Sequence, residues 1–416
     1  MAEITIIADD MTGACDAGAQ LLPYGWAAEV LTDCRAYRPG SEKSAVLSLS
    51  TDARGIDPAE AERRIASLIK SGAGQTGVVY KKVDSLLRGN VGAECAALLR
   101  LLNCDGCIIA PAFPGNGRMV VDGFVQTTLA DGTRLKQSAL EAVAKTTGEP
   151  VALLPLERIA GPREELTGRV GELIRGGARL IVADARTDGD LARIADFILN
   201  GPFRLLGAGS AGLMAAYPGA MGMNRVRAPG VTAGAGKRNG VLAVIGSLSP
   251  VTIRQLQVLR RRSGVDWVEL ETERGFDAEG PENPCAKAEK AFAGTAASVR
   301  VLTSGRAMDN GAVELSCNLS NEAVAWAYGR TAAMAVARPW VKAVLLSGGD
   351  SAGQFMKQAG VASIRLHAEP LPGLVTARAE TCGGKRIWIA TKSGSFGNEN
   401  ALADLVDYLE KTEEPE

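Results

Sequence analysis

The sequence predicts an α/β protein with two domains, each built on a largely parallel sheet flanked by helices. Three observations support this fold class. Short apolar runs alternate with helical patterns along most of the chain, which is typical of βαβ units. A length of 416 residues exceeds what one core usually organises. Around residues 228–237 the alternation lapses into small and turn-forming residues, as in a linker.

We therefore expect an N-terminal domain over residues 1–228, a linker over 229–240 and a C-terminal domain over 241–416. One helix is well delimited, because Asp57 can cap it, Pro58 fits its first position and Gly72 can end it. The expected strands of the first half lie near residues 4–7, 28–31, 46–49, 78–82, 107–110, 151–154 and 179–183. Those of the second half lie near residues 241–245, 298–302, 343–347 and 386–391.

The bulk composition excludes several classes of function. Lys plus Arg number 46 against 47 for Asp plus Glu, which gives a net charge of -1. The chain therefore offers no broad basic field to nucleic acid or to an anionic membrane. No run approaches the roughly eighteen apolar residues of a membrane span, and the N-terminus enters a strand-like segment without signal-peptide features. We expect a soluble, cytoplasmic protein.

Cysteine and histidine usage narrows the chemistry further. Eight cysteines are too few and too scattered for a disulfide framework. Cys104 and Cys107 form a C-x-x-C pair, but the pair has no second half and precedes a strand, so we interpret it as structural. His367 is the single histidine, which excludes a histidine-rich metal site and favours a carboxylate or lysine as general base. The sequence identifies no metal ligands.

Two adjacent carboxylates follow the first expected strand, in the segment ADDMTGA. One of them is enough to cap the next helix, so the second indicates metal, hydroxyl or proton-transfer chemistry. In doubly wound sheets, ligands bind at the carboxyl ends of strands. We therefore expect Asp9 and Asp10 to lie in the active site.

The fourth expected strand leads into a turn of mixed chemistry, KKVDSLLRGN. Arg or Lys can bind a carboxylate, while Asp and Asn can bind hydroxyls, so this set suits a polyhydroxylated anion. The segment PAFPGNGR follows the next strand and forms a rigid, turn-rich loop that can close over a ligand.

Three loops of the second half suit phosphate. Ser249 and Pro250 begin a helix after the strand at 241–245, which leaves a positive helix end facing outward. Gly348 and Gly349 allow a backbone to approach a nucleotide closely. Lys392 adds a cation to the small-residue loop KSGSFG. Three such loops in one domain favour a nucleotide site.

One motif supports a rival interpretation. The segment Gly207–Gly212 fits G-x-G-x-x-G, which is typical of dinucleotide folds. No Asp or Glu occurs between Asp196 and Asp266, so the acid that binds the ribose is missing. Arg225 or Arg227 could instead serve a 2′-phosphate, which leaves an NADP-linked oxidoreductase open.

Taken together, the motifs ADDMTGA, KVDSLLRGN, PAFPGNGR, GSLSP, SGGDSAG and KSGSFG resemble the four-carbon acid sugar kinase family, which includes threonate, erythronate and 3-oxo-tetronate kinases. The resemblance covers nearly the whole chain in the family's order. It implies an ATP-dependent kinase with an N-terminal substrate domain, a C-terminal nucleotide domain and an active site in the interdomain cleft. Carried over by position, it implies two sets of ligand residues. Those for the acid sugar are Asp9, Asp10, Arg54, Lys82, Val83, Asp84 and Ser85, with Arg88 nearby. Those for ATP are Ser247, Gly348, Gly349, Asp350, Ser351, Lys392, Gly394 and Gly397, to which the helix-cap argument adds Ser249.

From these residues we expect ATP and Mg²⁺ to lie over the glycine loops, with closure excluding water from the transfer. Asp9 or Asp10 would orient or deprotonate the attacking hydroxyl, and Asp84 is a third candidate. A sugar-acid binding protein without catalysis is a second rival. No nucleic-acid or membrane partner is expected. The sequence leaves open which acid sugar binds, which hydroxyl reacts and whether the chain forms a homo-oligomer.

Overall fold

The computed structural model describes residues 2–40, 44–75, 77–128, 132–226, 240–247, 249–270, 288, 290–292, 297–303, 305–307, 313–315, 321–394 and 396–413. The chain divides into two compact units, Met1–Ala228 and Pro229–Glu416. The expected linker over 229–240 lies outside the described residues, apart from Gly240, which begins a strand.

The first unit is an eight-stranded parallel sheet with helices, plus a small antiparallel sheet. Its elements are β1 (Ile4–Ala8), α1 (Met11–Ala19), β2 (Ala28–Leu31), β3 (Val46–Ser50), α2 (Pro58–Lys70), β4 (Val78–Lys82), α3 (Val91–Leu101), β5 (Gly106–Ala110), β6 (Met119–Val121), β7 (Phe124–Thr128), β8 (Arg134–Ser138), α4 (Ala139–Ala144), β9 (Val151–Leu154), α5 (Leu156–Ala160), α6 (Arg163–Arg175), β10 (Leu180–Ala183), α7 (Asp188–Asn200), β11 (Leu205–Gly209) and α8 (Ala211–Ala220). The parallel strands follow the order β2-β3-β1-β4-β11-β5-β10-β9, and β6-β7-β8 form the antiparallel sheet.

All seven strands expected in this half are confirmed. Strands β1, β3 and β5 are buried along their whole length, as parallel strands covered on both faces should be. Helix α2 is confirmed as well: the Asp57 side chain accepts a hydrogen bond from the Ala59 amide at 2.9 Å, and Gly72 has a φ of 98°. The sequence patterns did not predict the β6–β8 sheet.

The second unit combines a parallel sheet with two antiparallel strands at one side. Its elements are β12 (Gly240–Ile245), α9 (Pro250–Arg260), β13 (Val265–Glu269), β14 (Val299–Thr303), β15 (Gly305–Ala307), β16 (Val313–Leu315), α10 (Asn321–Val336), β17 (Val341–Ser347), α11 (Gly349–Gln358), β18 (Ser363–Leu371), β19 (Leu374–Glu380), β20 (Arg386–Lys392) and α12 (Ala401–Lys411). The strand order is β13-β14-β12-β17-β20-β19-β18. The first five strands are parallel, β19 and β18 continue antiparallel, and β15 pairs with β16.

The four strands expected in the second half are confirmed as β12, β14, β17 and β20. Helix α9 begins as expected, with Ser249 as its cap and Pro250 in its first turn. The prediction of a largely parallel sheet is confirmed for the main sheet of both units, in which β18 and β19 are antiparallel. The short strands β6–β8 and β15–β16 form separate antiparallel sheets.

In the described part of the chain, no helix combines the length and apolar character needed to cross a membrane.

Cys104 and Cys107 are free thiols buried in the first unit, and burial raises the pKa of both. The burial of the two thiols and their raised pKa agree with a packing role for the C-x-x-C pair.

Candidate functional site

The carboxyl ends of four strands in the first unit lie level with one another. Ala8 at the end of β1 is in register with Ser50 of β3 and with Lys82 of β4. On the other side of β4, Gly209 of β11 is in register with Lys82. The loops that follow these strands therefore share one edge of the sheet, as the sequence predicted for the motifs after β1 and β4.

At this edge Arg54 binds both carboxylates of the first loop. Its Nε and Nη2 donate to the two oxygens of Asp9 at 2.7 Å and 2.9 Å, and its Nη1 donates to Oδ2 of Asp10 at 2.6 Å. The side chains of Asp9 and Asp10 are buried, whereas that of Arg54 is 22% exposed. The planar fork of a guanidinium fixes the positions of both carboxylates, whereas the three donors of an ammonium impose no such planar geometry.

The two carboxylates have different local roles. Asp10 caps α1, since its Oδ1 accepts from the Gly13 amide at 2.7 Å and its Oδ2 accepts from Thr12 Oγ1 at 3.0 Å. Asp9 makes no cap. Burial alone would raise the pKa of Asp9, but Arg54 together with Lys81 and Lys82 outweighs burial and lowers that pKa below its ordinary value. Asp9 therefore stays ionised.

The turn after β4 places a second ion pair at the same edge. Arg88 donates to both oxygens of Asp84, at 2.8 Å and 2.9 Å, and the Leu86 amide donates to Oδ2 at 3.1 Å. Although burial opposes ionisation, Arg88 lowers the pKa of Asp84 well below its ordinary value. Neighbouring Ser85 is contacted by Arg118, and the Val83 amide donates to the Gly209 carbonyl at 2.9 Å.

Lys81 and Lys82 end β4 and have different partners, because successive side chains of a strand point to opposite faces. Lys81 forms a fully buried ion pair with Glu94 of α3, at 3.0 Å. Lys82 Nζ donates to the Val83 carbonyl at 2.9 Å. It lies on the side of α1, 3.2 Å from where a Cβ on Gly13 would be. Lys82 thus faces the candidate site, and Lys81 anchors α3.

Two charged residues of this region were not among the residues predicted from the sequence. Arg118 ends the loop PAFPGNGR and is only 5% exposed, and Asp16 lies within α1 at 4% exposure. Burial raises the pKa of Asp16 to about 6, against the opposing charge of Lys82. In the sequence, Asp16 stands out only as the one charged residue of the α1 segment MTGACDAGA, and the burial of every residue of α1 is seen in the structure alone.

In the second unit, the three predicted phosphate loops meet at one edge of the sheet. Ile245 of β12, Ser347 of β17 and Lys392 of β20 are in register on adjacent strands. The amides of Gly246 and Ser247 both donate to the Ser347 carbonyl at 2.9 Å. The GSLSP, SGGDSAG and KSGSFG loops are therefore neighbours.

A buried lysine ties two of these loops together. Lys392 is fully buried, and its Nζ donates to Thr252 Oγ1 at 3.2 Å and to the carbonyls of Ser393 and Gly394 at 3.1 Å and 3.0 Å. Thr252 and Ser249 also donate to the Gly394 carbonyl. Since these partners are neutral, burial lowers the pKa of Lys392 to about 7.

Helix α11 begins at the same edge without a side-chain cap. Its N-cap is Gly348, whose φ of 116° favours glycine, and no side chain caps the helix there. Ser351 is buried in its first turn, and Asp350 is exposed. Uncapped amides at a helix start are suited to phosphate. Gly397 contributes a carbonyl to Gln255 at 3.2 Å, and Ser395 lies outside the described residues.

The G-x-G-x-x-G segment is explained by packing within the first unit. A Cβ on Gly207 would meet the hydroxyl of Tyr217, and one on Gly209 would come within 2.6 Å of the Ala110 carbonyl. A Cβ on Gly212 would come within 3.0 Å of the Ala112 carbonyl, and Ser210 donates to that same carbonyl. Close packing therefore accounts for all three glycines of this segment.

Within the described ranges, no group of three or more His, Cys, Asp or Glu side chains is arranged to hold a metal ion. A dedicated protein cage for a metal is therefore not found there. Asp350 at the uncapped start of α11 is nevertheless suited to a Mg²⁺ ion carried on phosphates, because such ions keep few protein ligands.

Comparison with known families defines the class of the protein. A model described as "Sugar-binding N-terminal domain" matches residues 4–217, and one described as "Nucleotide-binding C-terminal domain" matches residues 242–402. These two matches cover most of the chain, so it joins a sugar-binding domain to a nucleotide-binding domain.

The curated relatives are similar over nearly their full length. The chain is 27% identical to D-threonate kinase of Salmonella typhimurium, over 98% of this chain and 99% of the relative. It is 28% identical to D-erythronate kinase of Heliobacterium modesticaldum, over 98% and 97%. The chain belongs to the four-carbon acid sugar kinase family. The expectation of a kinase of this family is confirmed.

Solved structures support the fold. A crystal structure of a protein from Salmonella typhimurium LT2 matches with a TM-score of 0.72 at 18% identity, over 97% of this chain and 99% of that chain. At this identity the match supports the two-unit α/β fold and nothing further.

Proposed function

We propose that the protein transfers the γ-phosphoryl group of ATP to a hydroxyl of a four-carbon acid sugar. The observation that carries this proposal is the set of carboxylates and cations at one edge of the first unit's sheet. These groups suit the hydroxyls and the carboxylate of a single small ligand. The family and its two domain models set the reaction class.

On the sugar side, Arg54 and Lys82 provide positive charge for the ligand's carboxylate, and Val83 and Ser85 line the turn after β4. Arg88 holds Asp84 in place through two hydrogen bonds, at 2.9 Å and 2.8 Å. Asp9, Asp10 and Asp84 are hydrogen-bond acceptors for hydroxyls. All three are buried, so each should bind a hydroxyl with little competition from water.

On the nucleotide side, the uncapped start of α11 at Gly348 and Gly349 supplies amide donors for the phosphates of ATP. Ser247, Ser249, Ser351 and Lys392 add hydroxyl and ammonium donors, and the Gly394 and Gly397 turn completes the edge. Mg²⁺ bound to the phosphates, with Asp350 as its protein ligand, would neutralise charge that develops during transfer.

In the transfer itself, the protein's task is to orient the hydroxyl for in-line attack and to accept its proton. Arg54 and Arg88 keep Asp9 and Asp84 ionised, so both are available as acceptors at neutral pH. Their tight ion pairs favour orientation of the hydroxyl over strong general-base catalysis. Asp10 shares Arg54 and is also held by the start of α1.

The substrate class follows from the relatives' names. D-threonate and D-erythronate differ in configuration, and this chain is almost equally similar to a kinase named for each, at 27% and 28% identity. Identity therefore does not select an epimer. The 3-oxo-tetronates complete the family's range.

The test is an ADP-release screen of the full chain with ATP and Mg²⁺ over D- and L-threonate, D- and L-erythronate and the 3-oxo-tetronates. We expect ADP formation with at least one acid sugar and loss of it on chelation of Mg²⁺. The control is Glu164→Gln, a change of an exposed carboxylate on α6. Binding of NADPH without binding of ATP would instead support the oxidoreductase. Binding of an acid sugar without ATP consumption would support a non-catalytic protein.

The three carboxylates are compared by separate substitutions, Asp9→Asn, Asp10→Asn and Asp84→Asn, with single-turnover kinetics and ATP binding measured for each. The residue that accepts the proton should lose turnover while ATP binding is retained. Near-normal turnover in all three variants would refute these roles.

A further inference from the structure

Asp16 is a buried carboxylate with an unfilled hydrogen-bonding position. Asp16 is 4% exposed, and its Oδ1 has no hydrogen-bond partner among the described residues. Nor does any described cation form an ion pair with it. Most buried polar groups in proteins are satisfied, and each exception needs an explanation.

The surroundings of Asp16 belong to the candidate sugar site. Asp16 lies three residues after Gly13, so the two share a face of α1. On that face the ammonium of Lys82 lies 3.2 Å from the Cβ position of Gly13. The other charged or titratable groups that act on Asp16 are Arg118, Asp10 and the hydroxyl of Tyr80.

None of these neighbours supplies the missing hydrogen bond. Lys82 donates to the Val83 carbonyl, Arg118 contacts Ser85, and Tyr80 donates to the Ser210 carbonyl at 2.6 Å. Burial raises the pKa of Asp16 to about 6, so the carboxylate is still mostly ionised at neutral pH and costs the fold free energy. Such groups persist where a ligand completes them.

We propose that Asp16 is a substrate-binding residue that accepts a hydrogen bond from the hydroxyl next to the carboxylate of the acid sugar. This inference rests on the proposed function. Lys82 and Arg118 are the cations whose charges act on Asp16, and Lys82 is one of the two cations assigned above to the carboxylate of the ligand. The hydroxyl on the adjacent carbon would then lie beside that carboxylate, where it can donate a hydrogen bond to Asp16.

The experiment compares the best acid sugar of the screen with its 2-deoxy and 3-deoxy analogues, 3,4- and 2,4-dihydroxybutanoate. The kcat/KM of each is measured for the wild type, Asp16→Leu, Asp16→Asn and the control Glu164→Gln. The wild type should lose about 10- to 100-fold with the 2-deoxy analogue, the range for a hydrogen bond to a charged group. Asp16→Leu should lose a similar factor with the parent acid and lose little more with the 2-deoxy analogue.

Asp16→Asn keeps the size of the side chain and removes its charge. For the wild type, KM should rise as pH falls through about 6, since protonation removes the ionised acceptor. In the Asn variant that rise should be absent, which a purely structural role would not produce. This variant tests the proposal even if Asp16→Leu does not fold.

Two results would overturn the assignment. In the first, the kcat/KM of Asp16→Leu is still much lower for the 2-deoxy analogue than for the parent acid. In the second, Asp16→Leu lowers kcat/KM by the same factor for all three substrates. If the wild type phosphorylates no acid sugar at all, the proposed function itself fails. If the wild type is active and its pH dependence is unchanged by Asp16→Asn, only the role of Asp16 fails.

Discussion

Replacing Asp16 with Asn should make the first unit more stable at neutral pH. Burial raises the pKa of Asp16 from an ordinary 3.8 to about 6. Each pKa unit corresponds to about 1.4 kcal/mol, so the ionised carboxylate lowers the free energy of unfolding by about 3 kcal/mol at pH 7.5. Asn has nearly the same volume and no charge. We expect it to recover about 2–3 kcal/mol, or roughly 5–10 °C in melting temperature for a unit of this size.

The gain should depend on pH in a defined direction. Because the folded-state pKa of Asp16 is raised, its carboxyl costs no stability well below its ordinary pKa of 3.8, where it is protonated in both states. Stability is lost as pH rises from 3.8 through the folded-state pKa of about 6. The Asn variant lacks this loss. The melting temperatures of the two proteins should therefore differ least at pH 4 and differ fully above about pH 7.

Differential scanning calorimetry from pH 4 to pH 8 measures this difference, with the transitions of the two units fitted separately. Glu164→Gln is the matched control, because it also removes one carboxylate charge but at an exposed position of α6. It should leave the melting temperature nearly unchanged. If Asp16→Asn melts below the wild type at pH 7.5, or if its gain is independent of pH, then Asp16 is satisfied in the folded protein and the reasoning is refuted.

Three other contacts are tested by substitution. Arg54→Ala should lower kcat/KM for the acid sugar at least about 100-fold, and Arg54→Lys should not restore it, because an ammonium cannot reproduce the planar geometry in which the guanidinium holds both oxygens of Asp9 and one of Asp10; recovery in steady-state kinetics of the Lys variant would contradict this role. Lys392→Met should raise KM for ATP about 10-fold or more, and binding of ADP to the wild type near pH 7 should take up a proton at Lys392, seen as a buffer-dependent calorimetric enthalpy that the variant lacks. Glu94→Gln should destabilise the first unit by about 3–5 kcal/mol in chemical denaturation, because it leaves Lys81 buried without its partner, whereas the double variant Lys81→Met with Glu94→Leu should recover most of that loss.

The sequence predicted those parts of the fold and site that depend on local pattern. Apolar runs located all eleven of the strands that were expected, and the residues after those runs contained the chemistry found at the two sheet edges. Parallel strands align their carboxyl ends, so the residues that directly follow each apolar run lie at the same edge of the sheet. Ser249, Lys392 and the Gly348 turn were found in this way.

The remaining features depend on contacts between distant segments. The pairing of Arg54 with both Asp9 and Asp10 joins residues about 45 positions apart, and no periodicity encodes it. Asp16 was overlooked because a carboxylate within a helix is usually solvated, and only packing shows that α1 is buried on all sides. The β6–β8 strands are short and partly exposed, so their apolar signal is weak.

The charges at the candidate sugar site balance one another. Arg54, Lys82, Arg88 and Arg118 stand against Asp9, Asp10, Asp16 and Asp84, and seven of these eight residues are half-buried or more deeply buried, with Arg88 the exception. A balanced set produces little field beyond its immediate surroundings, so it should not attract an anion from a distance. The association rate of an acid sugar should therefore vary little with ionic strength. Its affinity should depend on short-range geometry, which favours discrimination between closely related anions over rapid capture of any of them.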